Sequence, residues 1–186
     1  PGGTSIQFLS ESKAEIDYGQ DAFKFNHTDE FSLSIWVKRF HPNTATADAT
    51  GRDDGSTATS QGIFVRGNTS NSYGNDYLRT ANQIRAGVRD SDSQALATHT
   101  MSDEMTGSFY HVVFTHTPNS STGVKLYINS ELKSQQNNTA VLNFTGSNSN
   151  KLELSGHNTI SGNAARFNGF LAEPRVYNKV LTESEI

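Results

Sequence analysis

Short runs in which apolar and polar residues alternate one for one recur along this chain, and that period is what most limits its fold. In 31-FSLSIWVKRF-40, Leu33, Ile35 and Val37 fall on one face and Ser34, Trp36 and Lys38 on the other. In 123-GVKLYIN-129, Val124, Leu126 and Ile128 oppose Lys125, Tyr127 and Asn129. Successive side chains of a strand point to opposite faces, so a period of two buries one face and wets the other. Further strands are expected at 4-TSIQFL-9, 14-AEIDY-18, 61-QGIFVR-66, 82-NQIRAGVR-89, 109-FYHVVFTHT-117, 131-ELKSQ-135, 150-NKLELSG-156 and 169-GFLAEPRVYN-178. Clusters of Gly, Asn, Asp and Ser separate them, which is the pattern of an antiparallel all-β domain. The one helical expectation is a short turn at 181-LTESEI-186, where Thr182 and Glu185 have capping-box spacing.

A length of 186 residues suits one sizeable β-sandwich, and we expect a single domain over 1–186. Only 33% of the residues are hydrophobic, which fits thin strands and long polar loops better than a helical bundle. The net charge is −4 and the fifteen Lys and Arg are scattered, so no basic stripe exists to neutralise phosphates and no nucleic-acid partner is expected. No apolar run approaches the roughly 18 residues of a membrane span. Cysteine is absent, so the fold uses no disulfides. The chain starts at Pro1 with neither an initiator Met nor a signal peptide, which reads as a piece processed from a longer protein. The longest segment without strand pattern, 41–62, is an inserted loop and a candidate for binding or assembly. The stretch 67–76 reads as a second polar loop carrying one aromatic, Tyr73.

Five segments, in order, resemble the laminin G-like, concanavalin A-like jelly roll. TSIQFLSESKAEIDYG is similar to the family's S-L-x-F-x-G-S-x-x-Y-V-D-L-G, and FSLSIWVKR to F-T-V-S-A-W-V-K. SFYHVVFTHT resembles W-H-H-V-A-V-T, VKLYINSELKS resembles V-x-L-Y-V-N-G-x-L, and FNGFLAEPRVYNKVL resembles the closing F-N-G-x-I-D-E-V-R-I-Y-N-R-x-L. The resemblance implies an all-β, antiparallel β-sandwich jelly roll. The departures also carry information. Phe109 stands where the family has Trp, and Ser130 where a hairpin Gly is usual, which points to a different turn geometry. Ala172 replaces an Asp that in relatives helps to hold a structural calcium. Pro174 removes one backbone donor, so an edge or a bulge is expected there.

Catalysis has one tempting signal. The segment 15-EIDYGQ-20 is similar to the E-I-D-x-x-E of jelly-roll glycoside hydrolases, but Gln20 stands at the sixth position, and an amide cannot move the proton a second carboxylate would. The chain is therefore expected not to be an enzyme. His111 and His116 lie five apart on one strand, hence on opposite faces, which disfavours a zinc site. His111, Trp36, Arg175 and Tyr177 match scaffold positions of the family and read as packing residues. For calcium, the Asp-rich stretches are Asp48, Asp53 and Asp54, then Asp76 with Asn75, and Asp90 with Asp92; the last pair, in 88-VRDSDS-93, is the most compact. Ordinary turn chemistry is the alternative for all of them.

A sugar site combines aromatic, amide and charged groups, and Tyr73, Asn75, Asp76, Tyr77, Arg79 and Arg89 are the candidates if their loops meet on one rim. Sequons begin at Asn26, Asn68, Asn119, Asn137 and Asn143, a number that a chain so rich in Asn, Ser and Thr produces by composition. The function implied by the resemblance is non-catalytic recognition or adhesion, with a glycan or cell-surface carbohydrate as partner, on an extracellular, cell-surface or virion protein. The alternative is a structural decoration or assembly domain that contacts sister subunits or other virion or surface proteins. A glycoside hydrolase is the least favoured reading.

Overall fold

Two six-stranded antiparallel sheets carry the chain in a computed structural model that describes residues 4–8, 13–16, 23–39, 60–67, 72–78, 82–90, 93–103, 105–138, 152–156 and 167–186. The first sheet contains β1 (Ile6–Phe8), β3 (Phe31–Arg39), β8 (Tyr110–His116), β9 (Val124–Ile128), β10 (Glu131–Gln136) and β12 (Gly169–Tyr177). The second contains β2 (Ala14–Ile16), β4 (Ser60–Gly67), β5 (Ser72–Leu78), β6 (Gln83–Arg89), β7 (Gln94–Thr100) and β11 (Leu152–Leu154). Their orders are β1-β12-β3-β8-β9-β10 and β2-β11-β4-β5-β6-β7. This is the sandwich that the period-two pattern required.

The alternation in β3 places Leu33, Ile35 and Val37 inside, in register with Phe114, Val112 and Tyr110 of β8. Ile84, Ala86 and Val88 of β6 and Ala95 and Ala97 of β7 face them from the second sheet. Each large aliphatic or aromatic side chain so buried contributes about 1.5–3 kcal/mol. His116 belongs to this interior: its ring stacks on Phe31 at 4.6 Å. Its Nδ1 lies 2.8 Å from the Asp29 carbonyl and its Nε2 lies 2.7 Å from the Asn138 amide. Five residues earlier, His111 lies on the outer face, as the spacing required.

One expected loop turns out otherwise. The segment 67–76, read as a loop, supplies most of β5, and β7 has no counterpart among the expected strands. Of the 41–62 insertion, residues 60–62 open β4, and 41–59 lie outside the described residues. The turn at Ser130 also corrects an expectation. Asn129 and Ser130 both adopt positive φ, 52° and 65°, which is the type I′ geometry a two-residue hairpin needs. Ser130 takes the left-handed conformation in place of glycine, and its hydroxyl donates to the Ile186 carbonyl at 3.0 Å.

Pro174 behaves as expected. The register of β12 against β3 slips between Ala172 and Arg175, and among the described residues β1 pairs with β12 over Gly169–Leu171, so the proline sits at a bulge. At the end of the chain, Glu185 N donates to the Thr182 carbonyl at 3.0 Å and the Glu185 carboxylate accepts from Thr182 N at 2.9 Å. That is a single capped turn.

Candidate functional site

Strand polarity separates the residues expected to gather at a rim. In β5, Tyr73 and Asn75 face the core, and both are fully buried or nearly so. The Tyr73 hydroxyl donates to the Phe23 carbonyl at 2.6 Å, and burial pushes the phenol far above its ordinary range against the opposing pull of Arg66. Asn75 stands in register between Phe64 and Ala86, and among the described residues its amide finds no hydrogen-bond partner. Neither side chain reaches a ligand at the surface. The Tyr77 side chain and all of Arg79 lie outside the described residues, as do Asp48, Asp53, Asp54 and Asp92. Asp90 closes the β6–β7 turn. Its two carboxylate oxygens accept from Ser93 N at 2.6 Å and from the Ser93 hydroxyl at 2.9 Å. Among the described residues no three His, Asp or Glu are grouped to hold a metal ion.

Asp76 and Arg89, by contrast, share the outer face of the second sheet. Asp76 is opposite Arg85 in register, and Arg85 Nε donates to Asp76 Oδ1 at 2.8 Å while its Nη2 meets Oδ2. Arg89 is opposite Gln94, and Arg89 Nη2 donates to Gln94 Oε1 at 2.8 Å. Between these rungs Gly74 lies opposite Gly87, and Leu96 follows Gly87 on β7. The result is a shallow open trough with a backbone floor, bounded on one side by the Asp76–Arg85 pair and on the other by Arg89 and Ser72. Arg85 and Arg89 stand four residues apart along one strand, about 13 Å at their Cα atoms. The floor must be glycine. A Cβ on Gly87 would sit 2.0 Å from the Ala95 carbonyl oxygen, and one on Gly74, whose φ is +142°, would sit 2.2 Å from that of Phe64.

The sequence offered a signal for this surface that went unread. In 85-RAGVR-89, Arg85, Gly87 and Arg89 fall two apart, hence on one face of a strand. Chemically the trough offers guanidinium donors, a carboxylate, a hydroxyl and the apolar side chains of Val65 and Leu96. The Arg85 charge is offset by Asp76. Arg89 has a neutral amide as its hydrogen-bond partner, so it is the cation with donors left to offer.

Further along the same face, β2 and β11 place Glu15 opposite Glu153, with Lys13 bridging both. Lys13 Nζ donates to Glu153 Oε1 at 2.7 Å. Burial lowers the affinity of that ammonium for its proton, but the hydrogen bonds and charges of the two glutamates outweigh burial and raise it. A lysine clamped between two carboxylates is an ion-pair network. A glycosidase needs instead one free carboxylic acid and one free carboxylate. On the outer face of the first sheet, Trp36 stacks on His111 with centroids 4.8 Å apart, and Ser34 Oγ lies 2.8 Å from His111 Nε2. Burial, then the nearby Arg175, lowers the His111 pKa.

Solved structures share this architecture at low identity. The CBM40 of the Ruminococcus gnavus IT-sialidase, bound to α2,3 sialyllactose, matches with a TM-score of 0.70 at 14% identity, over 98% of this chain and 94% of that one. A mutant NanB sialidase from Streptococcus pneumoniae matches with a TM-score of 0.70 at 17% identity, over 98% of this chain and 27% of that one. Domains LG4-5 of the mouse laminin alpha1 chain match with a TM-score of 0.59 at 10% identity, over 96% of this chain and 43% of that one. At such identities the fold is what is shared. No curated protein matches the chain. Among the described residues no helix is long and apolar enough to cross a membrane. A family model described as the concanavalin A-like lectin/glucanases superfamily matches residues 11–186, which takes in every strand but β1. Two antiparallel sheets in jelly-roll arrangement, the five motifs in order and that match together place the chain in the laminin G-like family of the concanavalin A-like lectin/glucanases superfamily.

Proposed function

We propose that this chain is a single non-catalytic carbohydrate-binding module, carried by an extracellular, cell-surface or virion protein, and that the glycine-floored trough is its binding surface. The observation that carries the reading is the Arg85–Gly87–Arg89 row. Donors stand on both sides of the glycine floor at a spacing that a pyranose with its substituents can bridge. Leu96 gives the apolar face of a sugar something to cover. Because Arg89 has no carboxylate partner among the described residues, a sugar bearing a carboxylate is favoured over a neutral one. Similarity to the Ruminococcus gnavus module, solved with sialyllactose, makes a sialylated glycan the first ligand to try. The Lys13-clamped pair of glutamates supports binding without hydrolysis.

The test is a glycan array, repeated with calcium and with chelator, followed by calorimetry of the wild type and Arg89→Ala against sialyllactose. Binding is expected to fall about tenfold or more in Arg89→Ala, the effect of removing one charge-assisted hydrogen bond. A blank array in both buffers overturns the proposal and makes assembly contacts with sister subunits the leading account. Hydrolysis of any arrayed glycan overturns the non-catalytic part of it.

A further inference from the structure

The two arginines of the trough are held in different ways, and Asp76 makes the difference. Arg85 Nε donates to Asp76 Oδ1 at 2.8 Å and its Nη2 meets Oδ2. The edge of the guanidinium that grips a carboxylate through two parallel bonds is therefore taken by the protein itself. The two residues face each other in register across β5 and β6. Their side chains, Arg85 18% and Asp76 14% exposed, form a pair that salt screens far less than one in open solvent. Arg89, on the same strand as Arg85, gives one Nη2 bond to the neutral Oε1 of Gln94 at 2.8 Å. A guanidinium has five N–H donors, so that amide contact leaves Arg89 able to fork onto an anion.

Asp76 is the one acid among the described residues that line the trough. The result is a trough with unlike ends, their Cα atoms about 13 Å apart. An acidic group at the Arg85 end meets an occupied fork and a like charge, and partly shielded like charges repel strongly at short range. At the Arg89 end it meets an open cation. Hydroxyls suit the Arg85 end instead, because a hydroxyl can donate to a carboxylate and accept from a guanidinium.

We infer that Asp76 is a positioning residue. By filling the fork of Arg85 it bars the acidic group of a sugar from that end, sends it to Arg89 and so fixes the direction in which the ligand lies. The inference rests on the trough being the carbohydrate site, and it adds which way round the sugar binds and which residue decides it. Without Asp76, Arg85 would be a second anion site, and the trough would take an acidic sugar in either direction. Asp76 thus lowers affinity and raises specificity, as a repulsive element in a binding site does.

Calorimetry of sialyllactose binding tests this in wild type, Asp76→Asn, Arg89→Ala and the double variant. Asparagine keeps the shape and loses the charge, so Asp76→Asn is expected to bind about three- to tenfold more tightly than wild type. Arg89→Ala, which weakens wild type about tenfold, is expected to weaken the Asp76→Asn protein about twofold or less, because Arg85 then takes the carboxylate. A purely structural role for Asp76 would make the two losses equal. If Asp76→Asn binds no more tightly than wild type, or if Arg89→Ala costs the same in both backgrounds, Asp76 does not set the direction and the trough stands as the site. If nothing binds, or if Arg89→Ala has no effect on wild type, the trough reading falls and this inference with it. The same comparison with Asp76→Ser decides the matter if the asparagine variant folds poorly.

Discussion

His116 is the residue at which stability and pH are most directly coupled. It lies in the core, stacked on Phe31, and burial lowers its pKa despite the opposing help of the Asp29 carbonyl and charge. His111 and His99 are shifted in the same direction, each chiefly by burial. The unfolded chain therefore takes up protons on these rings before the folded one does. Their contribution to stability is complete above the unfolded histidine value of about 6.5 and declines as pH falls through it. The Glu131 and Glu185 carboxylates are lowered by hydrogen bonds from Lys133 and Lys179, Glu185 to about 2, and act only below the ordinary glutamate range. The window from about pH 7.5 to 5.5 thus isolates the histidines. Thermal melts are expected to show Tm dropping across it, with a shallower drop in His116→Gln, which will itself melt lower at pH 7.5. A Tm that holds level or rises on acidification would contradict this account of the three rings.

At the scale of elements, the β6–β7 hairpin shows how turn chemistry can imitate a metal site. Both Asp90 oxygens already accept hydrogen bonds from Ser93, so an ion there would have to share them. Asp90→Ala is expected to cost about 1–2 kcal/mol, or about 2–4 °C of Tm for each kcal/mol in a chain this long. Chelator is expected to leave the wild-type Tm unchanged; a fall of several degrees with chelator would return calcium to this loop. The same pair of elements explains what was legible in the sequence. Strands with branched or aromatic inward residues, such as β3, β8 and β9, announced themselves through alternation. β7 did not, because its inward positions are the small Ala95 and Ala97, which leave almost no hydrophobic contrast. β5 was hidden because Gly74, Asn75 and Asp76 are turn formers by local propensity, and cross-strand partners overrule that propensity: Arg85 takes Asp76, and Gly87 faces Gly74. Misreading β5 as a loop is also why Tyr73 and Asn75 were expected at a rim. Once strand register is known, alternation alone sends them inward and leaves Asp76 and Arg89 outside.

In the molecule as a whole, the connectivity ties distant parts of the chain into each sheet. β12, from the last eighteen residues, sits between β1 and β3, so Leu171 pairs with both Ile6 and Val37. β11 likewise joins β2 to β4 through Leu152, which pairs with Ile16 and Arg66. Cutting the chain anywhere between β4 and β11 would leave both sheets missing interior neighbours, and neither fragment would retain two faces to close a core. The inner faces of the two sheets share one hydrophobic core, so neither sheet can open without exposing the other. We therefore expect residues 1–186 to unfold as a single cooperative unit. Scanning calorimetry should give one transition whose calorimetric and van't Hoff enthalpies agree. Its enthalpy should be about 130 kcal/mol near 60 °C, from roughly 0.7 kcal/mol per residue. Saturating sialyllactose should move that whole transition upward rather than split it. Two resolved transitions, or a ligand that shifts only part of the heat absorbed, would mean that the sheets melt independently and that the faces belong to separable units.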